Sequence, residues 1–263
     1  MSGASRKERR RRRTAAQPSV DRVVDKAVDK AVDKVPDSGR KDNRVTVGIV
    51  VAAVIVAVFV AAFVVLNRPW GSTEPVAATY PVAIDGVVVT AGQPTASVTI
   101  DVYEDFLCPF CERFETRNRN ALTTALNEGR AKVNFHAVNI LDARTDPPGY
   151  STLAANAALC AVPAGIWPAY HERLFAEQPA EGGAGPTAAQ LAEIGTSLGA
   201  GPAFAQCVEA NGNAAAITAA TEAASANPAL QTDGQFGTPT VAVGGQKIDV
   251  LDPDWLETAL GES

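Results

Sequence analysis

The chain has 263 residues, with 23 Lys+Arg against 29 Asp+Glu and a formal net charge of −6. That length permits one or two compact domains plus tails. The acidity arises after residue 44, where 9 basic residues face 22 acidic ones, and it argues against a nucleic-acid role for that part of the chain.

Residues 1–44 carry 14 Lys+Arg and 7 Asp+Glu, including the unbroken block Arg9 to Arg13. Val-Asp-Lys-Ala repeats from Val24 to Lys34 align Val24, Val28 and Val32 on one stripe. That stripe is short and built of Val and Ala alone. The segment therefore reads as a basic low-complexity tail lying against anionic headgroups, and Pro36-Asp37-Ser38-Gly39 ends any helix. Residues 45–66 are 22 uncharged residues, where about 20 apolar residues span a bilayer core as a helix. A secretory apolar region is shorter, about 7–15 residues, and the small-residue site Val76-Ala77-Ala78 lies too far beyond the run for cleavage. The expectation is a retained signal anchor, single-pass in the cell membrane. The basic flank keeps the N-terminus in the cytoplasm and places residues 67–263 outside. Residues 67–79, with Pro69, Gly71, Ser72 and Pro75, form a linker.

From about residue 80 the pattern becomes that of a folded domain. Val87-Val88-Val89 and Val98 to Tyr103 read as strands, Pro109 to about Asn127 as a helix with Gly129 past its end, and Val133 to Val138 as the next strand. Residues 151–226 are Ala-rich and helical, with breaks at Pro163, Gly182-Gly183, Gly199 to Pro202 and Asn211-Gly212. Pro239 to Val243 and Lys247 to Val250 are strands around Gly244-Gly245, and Pro253 to Leu260 closes with a helix. Two strands joined by a helix, then a hairpin and a final helix, with a helical block between, is an α/β layout.

Cys108-Pro109-Phe110-Cys111 opens the first helix directly after a strand. A Cys-x-x-Cys in that position is a redox-motif layout. Asp105-Phe106-Leu107 before it, Phe114-Glu115 after it and the distant Gly237-Thr238-Pro239-Thr240 make the pattern more specific. Together they resemble the DsbA-like branch of the thioredoxin superfamily, over roughly residues 80–262. Trp167 to Phe175 resembles a stretch of that branch's inserted block. The resemblance implies a thioredoxin fold with an inserted α-helical domain at about 150–228, preceded here by one transmembrane helix.

The chemistry it implies is thiol–disulfide exchange. Cys108 sits at the N-cap with Pro109 at the first helical position, where a missing N–H costs nothing. Free backbone N–H groups and the helix dipole then favour the Cys108 thiolate. Cys111, one turn on, is the more buried resolving cysteine, within disulfide range. Phe110 departs from the family's best-known strong oxidant, which has His there, so an extreme potential is not implied. Glu115 resembles the family's helix acid that relays protons; a surface glutamate is the other reading. Thr238-Pro239 is implied to be a cis peptide bond lying against the dithiol, docking an extended substrate chain.

With Cys108 and Cys111 committed to each other by the resemblance, Cys160–Cys207 is the remaining disulfide of an exported domain. Closing that loop contributes about 4 kcal/mol in the chain-entropy model; a second redox centre and two free thiols are the alternatives. No metal is expected, because Cys160 and Cys207 are lone cysteines rather than a close-spaced pair. His136 and His171 read as packing or surface residues. Gly182 to Pro186 lacks the context of a phosphate loop, and no cofactor is implied. The expected function is introduction of disulfides into reduced exported proteins, with reoxidation by a DsbB- or VKOR-type membrane oxidase. A reductase or isomerase, or a redox-inert thioredoxin-fold binding or sensor domain, are the alternatives.

Overall fold

The computed structural model describes residues 75–261. The tail and the expected span at 45–66 lie outside them. No helix among the described residues is long and apolar enough to cross a membrane.

The architecture grows from one six-stranded sheet. Strands β1 (Val82–Asp85), β2 (Val88–Gly92), β3 (Val98–Glu104), β4 (Ala131–Ala137), β5 (Thr240–Val243) and β6 (Gln246–Lys247) lie in the order β1-β2-β4-β3-β5-β6. Only β3 and β4 are parallel, and helix α1 (Pro109–Asn127) makes the crossover between them. β5 runs antiparallel to β3 and returns through Gly244-Gly245 to β6. The short helix α7 (Trp255–Ala259) then packs on α1, where Trp255 Nε1 donates to Asn118 Oδ1 at 3.0 Å.

Strand periodicity decides what faces the core. On β3, Ile100, Val102 and Glu104 share one buried face, so the pleat carries a carboxylate into the interior at 1% exposure. Helix α1 answers with Cys111, Phe114, Glu115, Asn118, Leu122 and Leu126, recurring every three or four residues along its buried side. Each fully buried Leu or Phe on such a face contributes roughly 1.5–3 kcal/mol.

Between β4 and β5 come five helices: α2 (Tyr150–Ala161), α3 (Trp167–Ala176), α4 (Ala188–Ser197), α5 (Pro202–Ala210) and α6 (Ala214–Ala226). Their boundaries fall at the Pro, Gly and Asn-Gly breaks seen in the sequence. Helix α2 is buried almost all round and packs against α3, α4, α5 and α6, as an apolar helix without a polar face must. Cys160 on α2 and Cys207 on α5 are joined by a disulfide, Cα to Cα 5.9 Å. One turn before Cys160, Asn156 donates to the carbonyls of Cys207 and Val208 and accepts from Asn213, so α2, α5 and the start of α6 are tied at one place.

Three details differ from expectation. β1 was not anticipated: three of its four residues are exposed, and it exists by pairing with β2. Val87 lies in the turn beside Gly86, whose φ of +58° L residues rarely adopt. β6 stops at Lys247, and Asp249 instead turns the chain by accepting from the Leu251 N–H.

Candidate active site

Three segments meet at the dithiol. The loop between β3 and α1 brings Cys108, α1 brings Cys111, and the loop before β5 brings Thr238 and Pro239. Cys108 is the N-cap of α1, extended at φ −77° and ψ 117°, with Pro109 as the first helical residue. Both cysteines are free thiols and both are buried, Cys108 at 5% and Cys111 at 0% exposure.

The loop is held by side chains on both sides. Asp105 accepts from the Leu107 N–H (2.9 Å), the Leu141 N–H (2.9 Å) and the Ser151 hydroxyl (2.7 Å). Burial raises its pKa to about 6 even against those donors. Gln178, just past α3, donates to the carbonyls of Phe106 and Cys108 at 2.8 and 3.1 Å. The inserted block therefore fixes the backbone that presents Cys108.

Thr238-Pro239 is a cis peptide bond. The Cys108 thiol donates to the Thr238 carbonyl at 3.4 Å, and the Thr238 hydroxyl is buried without a partner of its own. Cys108 is lowered to about 6, first by the Cys111 thiol donating to its sulfur, against burial, and then by Thr238 and the backbone N–H groups of Cys111 and Phe110. Cys111 moves the other way, well above an ordinary thiol, because it is buried and faces Cys108 and the charge of Glu104. Two thiols driven apart in this way make one nucleophile and one protonated reserve.

Outside the dithiol, Phe110 is 63% exposed, with the Arg113 guanidinium 4.4 Å from its ring centroid. A groove of about 350 Å³ runs from there past Arg117, Thr238 and Pro239 to Leu251, itself 75% exposed. Apolar surface beside an extended loop suits a bound peptide segment.

Glu115 lies behind Cys111 on the buried side of α1, so its position is not that of a surface glutamate. It is accompanied by two residues with no assigned role in the sequence reading. His171 on α3 is buried, and its Nε2 lies 2.5 Å from Glu104 Oε1. Glu104 was missed in the sequence because the strand was read as ending at Tyr103; carrying the alternation Ile100-Val102 one step further marks the carboxylate as buried, whereas nothing local marks its partner, 67 positions away. These three residues are also the one cluster among the described residues with His and carboxylate atoms close enough to share a cation. His136 sits elsewhere, on β4, 3.0 Å from Asp101 and stacked on Tyr103. Cys160 and Cys207 are bonded within the helical block.

Comparison with known proteins agrees with this geometry. The thioredoxin family model matches residues 85–262. The serine/threonine-protein kinase PknE of Mycobacterium tuberculosis is 30% identical over 215 residues, covering 75% of this chain; the chain spans 37% of that relative's length. Among solved structures, DsbG of M. tuberculosis, a disulfide bond oxidoreductase, is 29% identical with a TM-score of 0.57, covering 68% of this chain and 86% of that one. Oxidised DsbA of M. tuberculosis is 27% identical with a TM-score of 0.56, covering 70% and 91%. MdbA of Corynebacterium diphtheriae, a thiol-disulfide oxidoreductase, shares the fold at 24% identity and a TM-score of 0.59, covering 73% and 100%.

Proposed function

We propose that this chain, which belongs to the thioredoxin family as a DsbA-like thiol–disulfide oxidoreductase, is an oxidase that donates its Cys108–Cys111 disulfide to reduced exported proteins. The observation that carries this reading is the contrast between the two cysteines. Cys108, at the helix N-cap with the Cys111 thiol, the Thr238 side chain and two backbone N–H groups lowering it, is a good leaving thiolate, while Cys111 is held as a buried thiol. A low-pKa thiolate stabilises the reduced dithiol and makes the disulfide the better oxidant.

The steps follow from those roles. A substrate thiolate attacks Cys108 Sγ; the Cys108–Cys111 bond breaks and a substrate–Cys108 bond forms. A second substrate thiolate attacks the substrate sulfur of that mixed disulfide, releasing the substrate disulfide and the Cys108 thiolate. Pro239 and the Thr238 backbone receive the extended substrate chain, with flanking residues in the Phe110–Leu251 groove.

The basic residues 1–44 are a cytoplasmic tail, 45–66 is a membrane anchor, 67–79 a linker, and the domain from residue 80 faces the extracytoplasmic space; the charge asymmetry and the uncharged run support this. A DsbB- or VKOR-type membrane oxidase reoxidises the dithiol.

The test is disulfide formation in a reduced, unfolded ribonuclease by stoichiometric oxidised full-length chain in detergent micelles. Wild type restores ribonuclease activity, and Cys108→Ala does not. Equal recovery with Cys108→Ala would sink the enzyme reading and favour a redox-inert binding domain.

A further inference from the structure

The group behind Cys111 holds more chemistry than exchange at Cys108 requires. β3 supplies Glu104, α1 supplies Glu115 and α3 supplies His171, and one ligand-type atom of each lies within 4.8 Å of the others. Glu104 Oε1 contacts His171, whereas Glu104 Oε2 and Glu115 Oε1 are buried with no hydrogen-bond partner. Burying charges in this way carries a desolvation penalty that well-packed apolar side chains of similar volume avoid, so stability alone gives no reason for the arrangement.

Its position supplies one. On one side, the Glu104 charge acts on the Cys111 thiol. On the other, Glu115 and His171 line a cavity of about 540 Å³ between α1 and α3, under the segment Pro75 to Tyr80. That volume holds several water molecules. The cluster spans the distance between a buried sulfur that must change protonation and a space that admits water.

We infer that His171 is a positioning residue of the exchange reaction, its imidazole holding Glu104 and Glu115 so that one mobile proton stays beside Cys111 and is replenished from the cavity. This deepens the oxidase reading and rests on it. When the substrate thiolate forms its bond to Cys108, the electron pair of the broken Cys108–Cys111 bond leaves on Cys111 Sγ. That sulfur takes one proton from the Glu115 carboxyl, and water in the cavity returns one proton to the carboxylate. Reoxidation of the dithiol runs the proton outward by the same groups.

The charges facing the cluster set the sign of the test. They are Glu104 and Asp105 from the β3 end; Cys108, Cys111, Glu115 and Arg119 from the α1 side; His171 and Glu172 from α3; and Tyr80 from the N-terminal segment. Arg119 and Glu172 pair with each other at the partly exposed rim. Burial first and Glu104 second raise Glu115 to about 7, while His171 and Arg119 pull it down. Burial opposes the His171 imidazolium, but Glu104, Glu115 and Glu172 outweigh it and raise its pKa. Removing the imidazolium therefore raises Glu115 further.

The experiment is rapid-mixing reduction of the oxidised full-length chain, in detergent micelles, by excess of a single-cysteine peptide between pH 5 and 9. Rates are divided by the peptide's thiolate fraction. Wild type loses rate above about pH 7, as the proton donor empties. His171→Gln moves that fall upward in pH, and Glu115→Gln abolishes it. A His171→Gln profile scaled by one factor at every pH, with the fall in place, overturns the inference and marks a merely structural histidine. If His171→Gln does not fold, ¹⁵N-histidine spectra of the wild type decide, since the chain has only 2 histidines. His171 is expected to keep both ring protons to a higher pH than an ordinary histidine; a neutral imidazole from pH 5 to 9 in both redox states overturns the inference. No thiol exchange at any pH would instead sink the oxidase reading, and this inference with it.

Discussion

At the residue scale, the behaviour of Cys108 is a matter of which donors reach its sulfur. The Cys111 thiol is the largest, Thr238 comes next among side chains, and burial works against both. Thr238 is informative because its hydroxyl is buried with no hydrogen-bond partner and its side chain lowers Cys108, so losing it removes a donor for the thiolate without breaking a bond present in the structure. Thr238→Val keeps the shape and the backbone carbonyl. The expected result is a Cys108 pKa, followed by thiolate absorbance, that rises measurably above about 6. An unchanged titration would show that backbone N–H groups and Cys111 suffice. The sign for stability follows from the same shift. Because the folded value lies below that of an ordinary thiol, the stabilisation of the reduced form is complete above the unfolded pKa. It is lost as pH falls through about 6.

At the element scale, the inserted helices do more than decorate the sheet. α3 carries His171 to Glu104, and the residue beyond its end, Gln178, holds the loop that presents Cys108. Within the block, α4 and α5 approach closely where Gly195 lies under Phe204. A Cβ at Gly195 would lie 2.0 Å from the buried ring of Phe204, so that ring or a helix must shift. Gly195→Ala is expected to destabilise the protein by about 1–3 kcal/mol, the usual cost of overpacking a core, read by urea unfolding. A neutral or stabilising effect, as helix propensity alone would give, would show that the joint yields freely. This scale also shows what the sequence disclosed. α1 was legible end to end because an N-cap, a proline at the first helical position and Gly129 mark it locally. The five inserted helices were legible from their Pro and Gly breaks. β1 was not, because an exposed four-residue strand has no periodicity to read and exists only through β2. The Glu104–His171 pair was not legible, because the strand was read as ending at Tyr103, one residue short of the carboxylate, and only the folded insertion brings the histidine from 67 positions away.

At the scale of the whole molecule, the proposed oxidase needs both the dithiol and an anchor at residues 45–66 that would hold it outside the cytoplasm. The charge asymmetry, net basic through residue 44 and acidic beyond, argues for that orientation, and an oxidising compartment is where a disulfide donor has use. The two halves meet in one quantity, the reduction potential of the Cys108–Cys111 pair. With Cys108 at about 6, the thiolate stabilises the reduced state by about 1.4 kcal/mol at pH 7, which is about 30 mV for a two-electron couple. Phe110 offers no cation of the kind that histidine at that position would supply, so the potential belongs toward the lower end of the donor range. The measurement is equilibration of the full-length chain in detergent with glutathione buffers at pH 7, with thiol trapping and with the Cys160–Cys207 bond shown to stay closed. The account predicts a value between about −180 and −120 mV, nearer the first. A value near about −270 mV would contradict it and make the chain a reductase or isomerase fed with electrons from the cytoplasm.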